Sequence, residues 1–158
     1  MAEIASCRMT RASRDDAFAL LQSFLADDPH YLASSAAYGD CGEEAIGRAL
    51  DLFLAHPETG FVWLAYEGSE AVAVCVVCYA ISTSAGALVA KLDDVAVRAG
   101  REGHGIGSRH LESLVEELRR IGVRRIDTAV HSDNAGARRF YERHGFRPLS
   151  EERIARLI

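Results

Sequence analysis

Lysine is nearly absent from this 158-residue chain, since Lys91 is the only one. The chain also lacks any stretch rich in proline, glycine or serine that would mark a linker between domains. Its longest apolar run, Ala71 to Ile81, is too short to cross a membrane as a helix. Residues 1–13 lack the apolar core of a signal peptide. These absences predict a single domain over residues 1–158 that stays in the cytoplasm and has no membrane partner.

The four cysteines do not form a metal-ligand pattern. Cys7 and Cys41 stand alone, and Cys75 and Cys78 lie inside an apolar run without a second pair of cysteines or a histidine pair nearby. A structural zinc site needs more clustered ligands than this. We therefore expect reduced, buried thiols and no metal. The formal net charge of −5 argues against broad nucleic-acid binding.

The apolar pattern changes after Val97. Before it, the spacing predicts two helices followed by strands that pair in hairpin fashion, whereas after it the chain alternates helix, strand and helix. The first half therefore favours antiparallel pairing, and the second half favours a parallel pair joined by a crossover helix. We expect a mixed sheet. The predicted strands are 4–9, 61–66, 71–81, 88–97 and 124–130, with 153–158 as a further candidate, and the later helices are 105–121 and 134–144.

The first helix is expected to begin at Ser13. Asp16 follows three residues later, and this spacing is typical of a capping box at a helix N-terminus. Pro57 and Gly60 are expected to end the second helix.

The loop from Glu102 to Ser108 carries glycine at alternate positions, directly before a helix. Glycines leave backbone N–H groups uncovered, and such groups at a helix N-terminus bind anions with the support of the helix dipole. Nearby guanidinium groups suit phosphate oxygens. They belong to Arg98, Arg101 and Arg109. We therefore predict a pyrophosphate site; the alternative is a tight strand-to-helix connection without a ligand.

Two other phosphate loops fit less well. A Walker loop needs a lysine at the start of the helix, and this loop has none. A dinucleotide-binding loop follows the first strand of a parallel sheet directly, whereas this loop lies five residues past its strand and follows antiparallel strands. Asp127 lies roughly where a ribose-binding acid could be, so a dinucleotide-binding loop remains only a distant alternative.

Three stretches of the chain resemble the Gcn5-related N-acetyltransferases (GNAT). They are Leu92 to Val97, the loop Glu102 to Ser108, and Asn134 to Phe146 with its Ala137, Phe140, Tyr141 and Gly145. The resemblance covers residues 88–148 well. One position departs from the family, since Glu102 stands where Gln or Arg is usual. The resemblance implies an α/β (α+β) GNAT-like fold with a mixed, mostly antiparallel twisted sheet of about six to seven strands and about four flanking helices.

The same resemblance implies an acetyl-CoA-dependent N-acetyltransferase. Acetyl-CoA would be the cosubstrate, and the acetyl group would pass directly to a primary amine in a ternary complex. The residues implied for binding coenzyme A are Val95, Ala96, Val97, Arg101, Glu102, Gly103, His104, Gly105, Ile106, Gly107, Ser108 and Asn134. A homodimer is compatible with the family and with a terminal strand.

Such a transfer needs an oxyanion donor, a base for the amine and a proton for the departing thiolate. The resemblance implies that the backbone N–H near Val95 is the donor and that Tyr141 is the acid. Asp93 and Asp94 are both candidate bases. Alternatively, the two carboxylates are solvated or paired with Lys91, and Tyr141 is a packing residue.

The segment between the first two helices is acidic and has no lysine or arginine. Its acidic residues are Asp27, Asp28, Asp40, Glu43 and Glu44. In the resembled family this segment borders the acceptor side of the cleft. A small cationic amine is therefore the expected acceptor, unless the segment is an ordinary solvated loop. The rival functions are a protein or peptide N-acetyltransferase and a non-catalytic acyl-CoA-binding regulatory module.

Overall fold

The structure, a computed structural model, describes residues 3–27 and 42–158. These residues form five strands and four α-helices, together with a short 3₁₀ turn at Arg11–Ser13. In chain order the elements are β1 Ile4–Arg8, α1 Arg14–Asp27, α2 Gly42–Ala55, β2 Gly60–Glu67, β3 Glu70–Ser82, β4 Ala87–Val97, α3 Ile106–Arg120, β5 Ile126–Thr128 and α4 Ala135–Arg143. Among the described residues, no helix has the length and apolarity needed for a membrane span.

The sheet has the order β1-β2-β3-β4-β5. Neighbouring strands are antiparallel except for β4 and β5, which are parallel. The prediction of a mixed, mostly antiparallel sheet is confirmed. The predicted number of strands is too high, because residues 153–158 have no regular secondary structure.

β5 is also shorter than the predicted 124–130. It pairs with β4 only from Ala90 to Leu92, and the two strands separate beyond that point. β5 has a neighbouring strand on one side only, and residues beyond this pairing have no strand to hydrogen-bond with, so the strand ends there.

The helical segment begins earlier than expected, because a 3₁₀ turn at Arg11–Ser13 directly precedes α1. The Oγ of Ser13, the last residue of this turn, accepts a hydrogen bond from the N–H of Thr10, 2.9 Å away. Ser13 is therefore the third residue of the helical segment, and Thr10 takes the N-cap position. Asp16 has a different partner, since its Oδ2 accepts a hydrogen bond from the hydroxyl of Tyr66 at 2.7 Å.

Helices cover both faces of the sheet. On one face, α1 and α2 bury Leu20, Leu21 and Leu50 against β2, β3 and β4. On the other face, α3 packs its apolar stripe against the opposite sides of the same strands. That stripe is Leu111, Leu114 and Leu118. β3 is buried along most of its length because it lies between both layers. The end of β4 and the start of α3 are therefore fixed by a packed core.

Candidate active site

The glycine-rich loop ends at the N-terminus of α3. Gly105 is the N-cap, adopts a left-handed φ of 73° and provides no side-chain cap. A Cβ placed there would meet nothing within 4 Å. The first N–H groups of a helix have no partner inside the helix, and those of α3 follow this open position. They are the donors that the predicted anion site would use.

The side chains of the loop have different surroundings. Ile106 is 2% exposed and packs against Ala65, Val72 and Ala73, so only its backbone is available to a ligand. Glu102, Gly103 and His104 are exposed. Glu102 lacks the Gln or Arg side chain that is usual in the family at this position, but its backbone is accessible.

The arginines beside the loop already have partners. Arg101 pairs with Glu67 and, at 2.9 Å, with Glu70 at the turn between β2 and β3. The Nε of Arg98 donates to the carbonyl of Ala71 at 2.7 Å, and Arg109 donates to the carbonyl of His104 at 3.3 Å. These contacts hold the loop against the sheet.

A β-bulge interrupts β4 just before its end. Val74 pairs with Ala96 and Val76 pairs with Asp93, so Asp94 and Val95 together face Cys75. Asp94 has a left-handed φ of 52°, which gives this bulge its kink. A bulge leaves one residue outside the ladder, and the backbone near Val95 is thereby freed from regular pairing. The sequence-predicted oxyanion donor lies at this irregularity.

Beside the bulge, β4 has no pairing with β5, and this unpaired stretch is here called the gap. The last paired residues are Leu92 and Thr128, and the Thr128 hydroxyl donates to the carbonyl of Leu92 at 3.1 Å. Beyond them, Val95, Ala96 and Val97 continue β4 along the gap. In parallel strands that separate, backbone groups on the facing edges become available to a ligand.

Tyr141 lies at this gap. Burial raises its pKa to about 12, with smaller contributions from Cys75, Asp93 and Asp94, while a hydrogen bond with Thr128 has the opposite effect. Its ring packs against Phe140 and Phe146, with centroids 5.3 and 5.2 Å away. The phenol is therefore neutral and is close enough to the bulge for both aspartates to influence it.

The two aspartates differ in their partners. The Nζ of Lys91 lies 3.0 Å from Oδ2 of Asp93, and the Asp93 side chain is 32% exposed. Asp94 occupies the left-handed position of the bulge. The simple alternation of side chains along a strand does not hold at this point.

Cys75 faces the bulge from β3 and is fully buried. Burial raises its pKa well above the ordinary range, and the nearby Asp94 and Asp93 act in the same direction. A thiol in these surroundings stays protonated and is a poor nucleophile.

Asn134 and Ser108 connect the parts of the site. Oδ1 of Asn134 accepts the N–H of Ala137 at 3.0 Å and caps α4. Oγ of Ser108 lies 3.0 Å from Nε2 of His144 at the other end of α4. Phe140 contacts the same region, since a Cβ on Gly107 would lie 3.5 Å from its ring. α3 and α4 therefore meet at the loop.

A family model identifies the chain. The model described as the acetyltransferase (GNAT) family matches residues 8–146. The chain belongs to this family. The fold and motif positions described above are those of a GNAT-family protein.

One curated relative of this GNAT-family chain is mycothiol acetyltransferase of Beutenbergia cavernae. It is 27% identical over 130 residues, which are 79% of this chain and 43% of that protein. This chain therefore spans less than half of the relative's length.

Solved structures share the GNAT fold. An integron cassette protein from the mobile metagenome of Cole Harbour Salt Marsh has a TM-score of 0.77 at 22% identity, covering 97% of this chain and 90% of that one. A predicted acetyltransferase from Clostridium acetobutylicum, whose structure contains acetyl-CoA, has a TM-score of 0.73 at 15% identity, covering 98% and 96%.

Sequence reasoning missed three residues that the structure places at the candidate site. Thr128 was unmarked, because its contact with Tyr141 depends on where β4 and β5 separate. Cys75 looked like an ordinary core thiol. His144 is the C-cap of α4, yet its side chain is only 14% exposed and contacts Ser108. The sequence did carry a signal for this position, because a histidine three residues after the motif tyrosine lies on the same face of the helix as the tyrosine.

Proposed function

We propose that this GNAT-family chain is an N-acetyltransferase that uses acetyl-CoA and passes the acetyl group directly to a primary amine in a ternary complex. One observation carries the proposal: the bulge at Asp94 and Val95 and the phenol of Tyr141 lie beside the gap, and the N-terminus of α3 reaches it at Gly107, where a Cβ would lie 3.5 Å from the Val97 side chain. The name of the mycothiol acetyltransferase relative and the acetyl-CoA in the Clostridium structure support the reaction class.

The residues present fit the pyrophosphate of coenzyme A. Open space lies over Gly105, where a side chain would fill the cradle, and the helix dipole of α3 favours an anion there. Residues 101–108 and Asn134 are the proposed contacts at this end. Val95, Ala96 and Val97 would hold the rest of the cofactor through their backbone groups along the gap.

Bound acetyl-CoA would supply a thioester carbonyl for the amine to attack. The backbone N–H near Val95 would donate a hydrogen bond to the carbonyl oxygen as negative charge develops on it. Asp93 or Asp94 would take the proton from the ammonium group, directly or through water. Lys91 already engages Oδ2 of Asp93, which favours Asp94 as the base unless this ion pair opens.

Tyr141 would serve the departing sulfur. Because its pKa is about 12 and that of a thiol is about 8.5, complete proton transfer to a thiolate is uphill by about 3.5 pKa units. The phenol therefore acts first as a hydrogen-bond donor to the sulfur while the bond to carbon breaks. Direct transfer is preferred over an acyl-enzyme because the Cys75 thiol at the same bulge is kept protonated.

A small cationic amine is the proposed acceptor. Asp27 ends α1, and Glu43 and Glu44 lie in the first turn of α2, so carboxylates stand on both sides of the segment between the helices. Asp28 and Asp40 lie outside the described residues. Glu43 and Glu44 have other roles as well, since Gln22 donates to Glu43 and Arg48 lies 3.6 Å from Glu44. Attraction between these carboxylates and a cationic acceptor acts at long range, so we expect it to lower KM and to weaken as the salt concentration rises.

A non-catalytic acyl-CoA-binding module is the second candidate. The ion pair between Lys91 and Asp93 favours it, because the Asp93 carboxylate is then engaged by Lys91 and is not free to meet an amine. Such a module would bind coenzyme A without turnover.

The test is thiol release from acetyl-CoA in the presence of polyamines, aminoglycosides, amino acids and basic peptides, at low and high salt. Turnover with a small cationic amine, with KM rising at high salt, supports the proposal. Preference for an anionic or neutral amine contradicts the acceptor assignment. Preference for peptides indicates a protein acetyltransferase, and binding without turnover on any amine indicates the module.

A further inference from the structure

The only lysine of the chain lies beside a candidate base. Lys91 is on β4, two residues before Asp93. Its Nζ lies 3.0 Å from Oδ2 of Asp93, and its side chain is 41% exposed. A lysine amine becomes a nucleophile when it loses a proton, whereas the guanidinium of arginine stays charged. Lys91 is therefore the one basic side chain that could itself accept an acetyl group.

The pair formed by Lys91 and Asp93 lies on the face of the sheet that α1 and α2 cover. In the register of β3 and β4, Lys91 lies opposite Cys78. Asp93 lies opposite Val76 in the same register. Directly opposite residues share a face, and both β3 residues pack in the core cluster that α1 and α2 form. Tyr141 packs instead with the cluster of α3. A thioester in the gap would thus have an amine on one side and the phenol on the other.

The amine is also close to the bulge along the strand. Asp93 is the last residue of β4 in register before the bulge at Asp94 and Val95. The pKa of Tyr141 is raised mainly by burial, and Asp93 and Asp94 both contribute to it. The carboxylate that holds the Lys91 amine is therefore a neighbour of the phenol. A lysine stem is flexible, so a change of rotamer can carry the amine from Asp93 towards the gap.

We propose that this chain acetylates its own Lys91, and that this modification releases Asp93 to act as the base for a free acceptor. The inference rests on the proposed function, because acetyl-CoA supplies the acetyl group. An amine that is already part of the site reacts at a high effective concentration. Lys91 therefore needs no binding step of its own.

The proposed step needs only groups already named. Asp93 takes one proton from the Nζ ammonium of Lys91, and the neutral amine attacks the carbonyl carbon of the thioester. A C–N bond forms, the C–S bond breaks, and the sulfur leaves with the bonding electron pair and a hydrogen bond from Tyr141. The nitrogen loses a second proton as it becomes an amide. One of the two protons ends on the thiol of coenzyme A and the other reaches solvent, and nothing is oxidised or reduced.

The acetylated side chain has a different relation to Asp93. Acetylation removes the positive charge of a lysine and with it the ability to form a salt bridge. The carboxylate that Lys91 engages in the unmodified protein would then be free to meet the ammonium group of an acceptor. The modification would therefore change the enzyme from a form with Asp93 engaged to a form with Asp93 available.

The first test is the covalent mass of the protein after incubation with acetyl-CoA and removal of the cofactor, followed by peptide mapping. The wild type should gain one acetyl group, on Lys91, at a rate that saturates with acetyl-CoA. Lys91→Arg should gain none at this position. An unmodified Lys91 would overturn the proposal.

A matched control distinguishes this reaction from chemical acetylation of any exposed lysine. Lys91→Arg combined with Arg120→Lys again has a single lysine beside a carboxylate, because Arg120 lies 2.9 Å from Glu117 and is 68% exposed. This position is at the end of α3 that lies away from the glycine-rich loop. The control lysine should stay unmodified. Acetylation of this lysine as fast as that of Lys91 would contradict an enzymatic step.

A mixing experiment shows whether the acetyl group stays within one copy. Tyr141→Phe keeps Lys91 but should acetylate it roughly 10²-fold more slowly, and Lys91→Arg keeps the remaining machinery. In a mixture of the two variants, Lys91 of the Tyr141→Phe copy should be modified no faster than in that variant alone. Faster modification in the mixture would show transfer between copies and contradict self-acetylation.

The release of Asp93 is tested with charge variants of Lys91. Lys91→Gln lacks the charge, as acetyl-lysine does, whereas Lys91→Arg can keep the ion pair. The Gln variant should transfer acetyl groups to a small amine several-fold faster than the Arg variant, and this difference should disappear when Asp93→Asn is added to both. Equal rates in the Gln and Arg variants would overturn the release of Asp93.

The outcomes separate this inference from the proposed function. Turnover on amines with an unmodified Lys91 would contradict the inference alone. Coenzyme A binding with neither turnover nor modification of Lys91 would contradict both. Modification of Lys91 without turnover on any free amine would support self-acetylation and contradict the proposed acceptor.

Discussion

Ser108 and His144 are joined by a contact of 3.0 Å between Oγ and Nε2. This contact links the first turn of α3, which carries the proposed pyrophosphate site, to the end of α4, which carries Tyr141. The N–H of His144 also donates to the carbonyl of Tyr141 at 3.0 Å, and its ring lies 4.8 Å from that of Phe140. The loop and the phenol therefore hold each other in position.

A double-mutant cycle should detect this link. Ser108→Ala and His144→Ala should each destabilise the protein, and their effects should overlap by about 1 kcal/mol, the usual net contribution of a hydrogen bond. Urea unfolding of the wild type, both single variants and the double variant measures this coupling. Strictly additive effects would mean that the contact contributes nothing to stability.

Tyr141→Phe should lower kcat by roughly 10²-fold while coenzyme A affinity is nearly kept, because only the donor to the sulfur is lost. Tyr79→Phe removes a half-buried phenol elsewhere and should leave kcat unchanged. Steady-state kinetics on both variants checks this. A Tyr141→Phe enzyme with wild-type kcat would remove this residue from the mechanism.

The pH dependence gives a separate test of Tyr141. Since its pKa is raised to about 12, the phenol stays protonated between about pH 6 and 10. Any fall in kcat within that range must therefore come from another group and should persist in Tyr141→Phe. A limb of the wild-type pH profile that disappears in this variant would show that the phenol titrates within the range.

The two aspartates can be distinguished by amide substitutions. Asp94→Asn suits the left-handed backbone, since Asn tolerates this conformation as well as Asp does, and thus removes only the charge. The variant that lacks the base should show its largest loss of rate at low pH, where more of the amine is protonated. Rate profiles of Asp93→Asn and Asp94→Asn identify that variant, and a loss that is uniform across pH in both would indicate structural roles.

His110 should make the protein sensitive to acid. It is 1% exposed on α3, and burial lowers its pKa from 6.5 to about 4. The folded state thus binds this proton less readily than the unfolded state. The free energy of unfolding is therefore unaffected by this group above about pH 6.5 and falls as the pH drops towards 4. The loss should be on the order of 3 kcal/mol. Urea unfolding between pH 7 and 4 should show it, and His110→Phe should flatten the slope.

The features that the sequence could predict are those encoded in neighbouring residues. Alternate glycines before an apolar helix indicated the loop at Gly105, and the periodicity gave most strands and helices within two residues. The bulge at Asp94 could not be predicted, because it depends on the register between β3 and β4. The pairing of Lys91 with Asp93 was one of the alternatives that the sequence left open, since residues two apart share a face of a strand. The contact of Ser108 with His144, in contrast, depends on tertiary packing. The number of strands was too high because residues 153–158 have apolar residues suited to a strand but no strand beside them.

Calorimetric titration with coenzyme A tests the central claim most directly. The account predicts that the wild type binds and that Gly105→Glu does not, because a carboxylate would occupy the space over the helix N-terminus. Gly86→Glu is the matched control, since Gly86 has a similar left-handed φ of 61°, has open space around it and lies in the turn between β3 and β4; this variant should bind like the wild type. Unchanged affinity in a folded Gly105→Glu protein, or no binding by the wild type, would contradict the account.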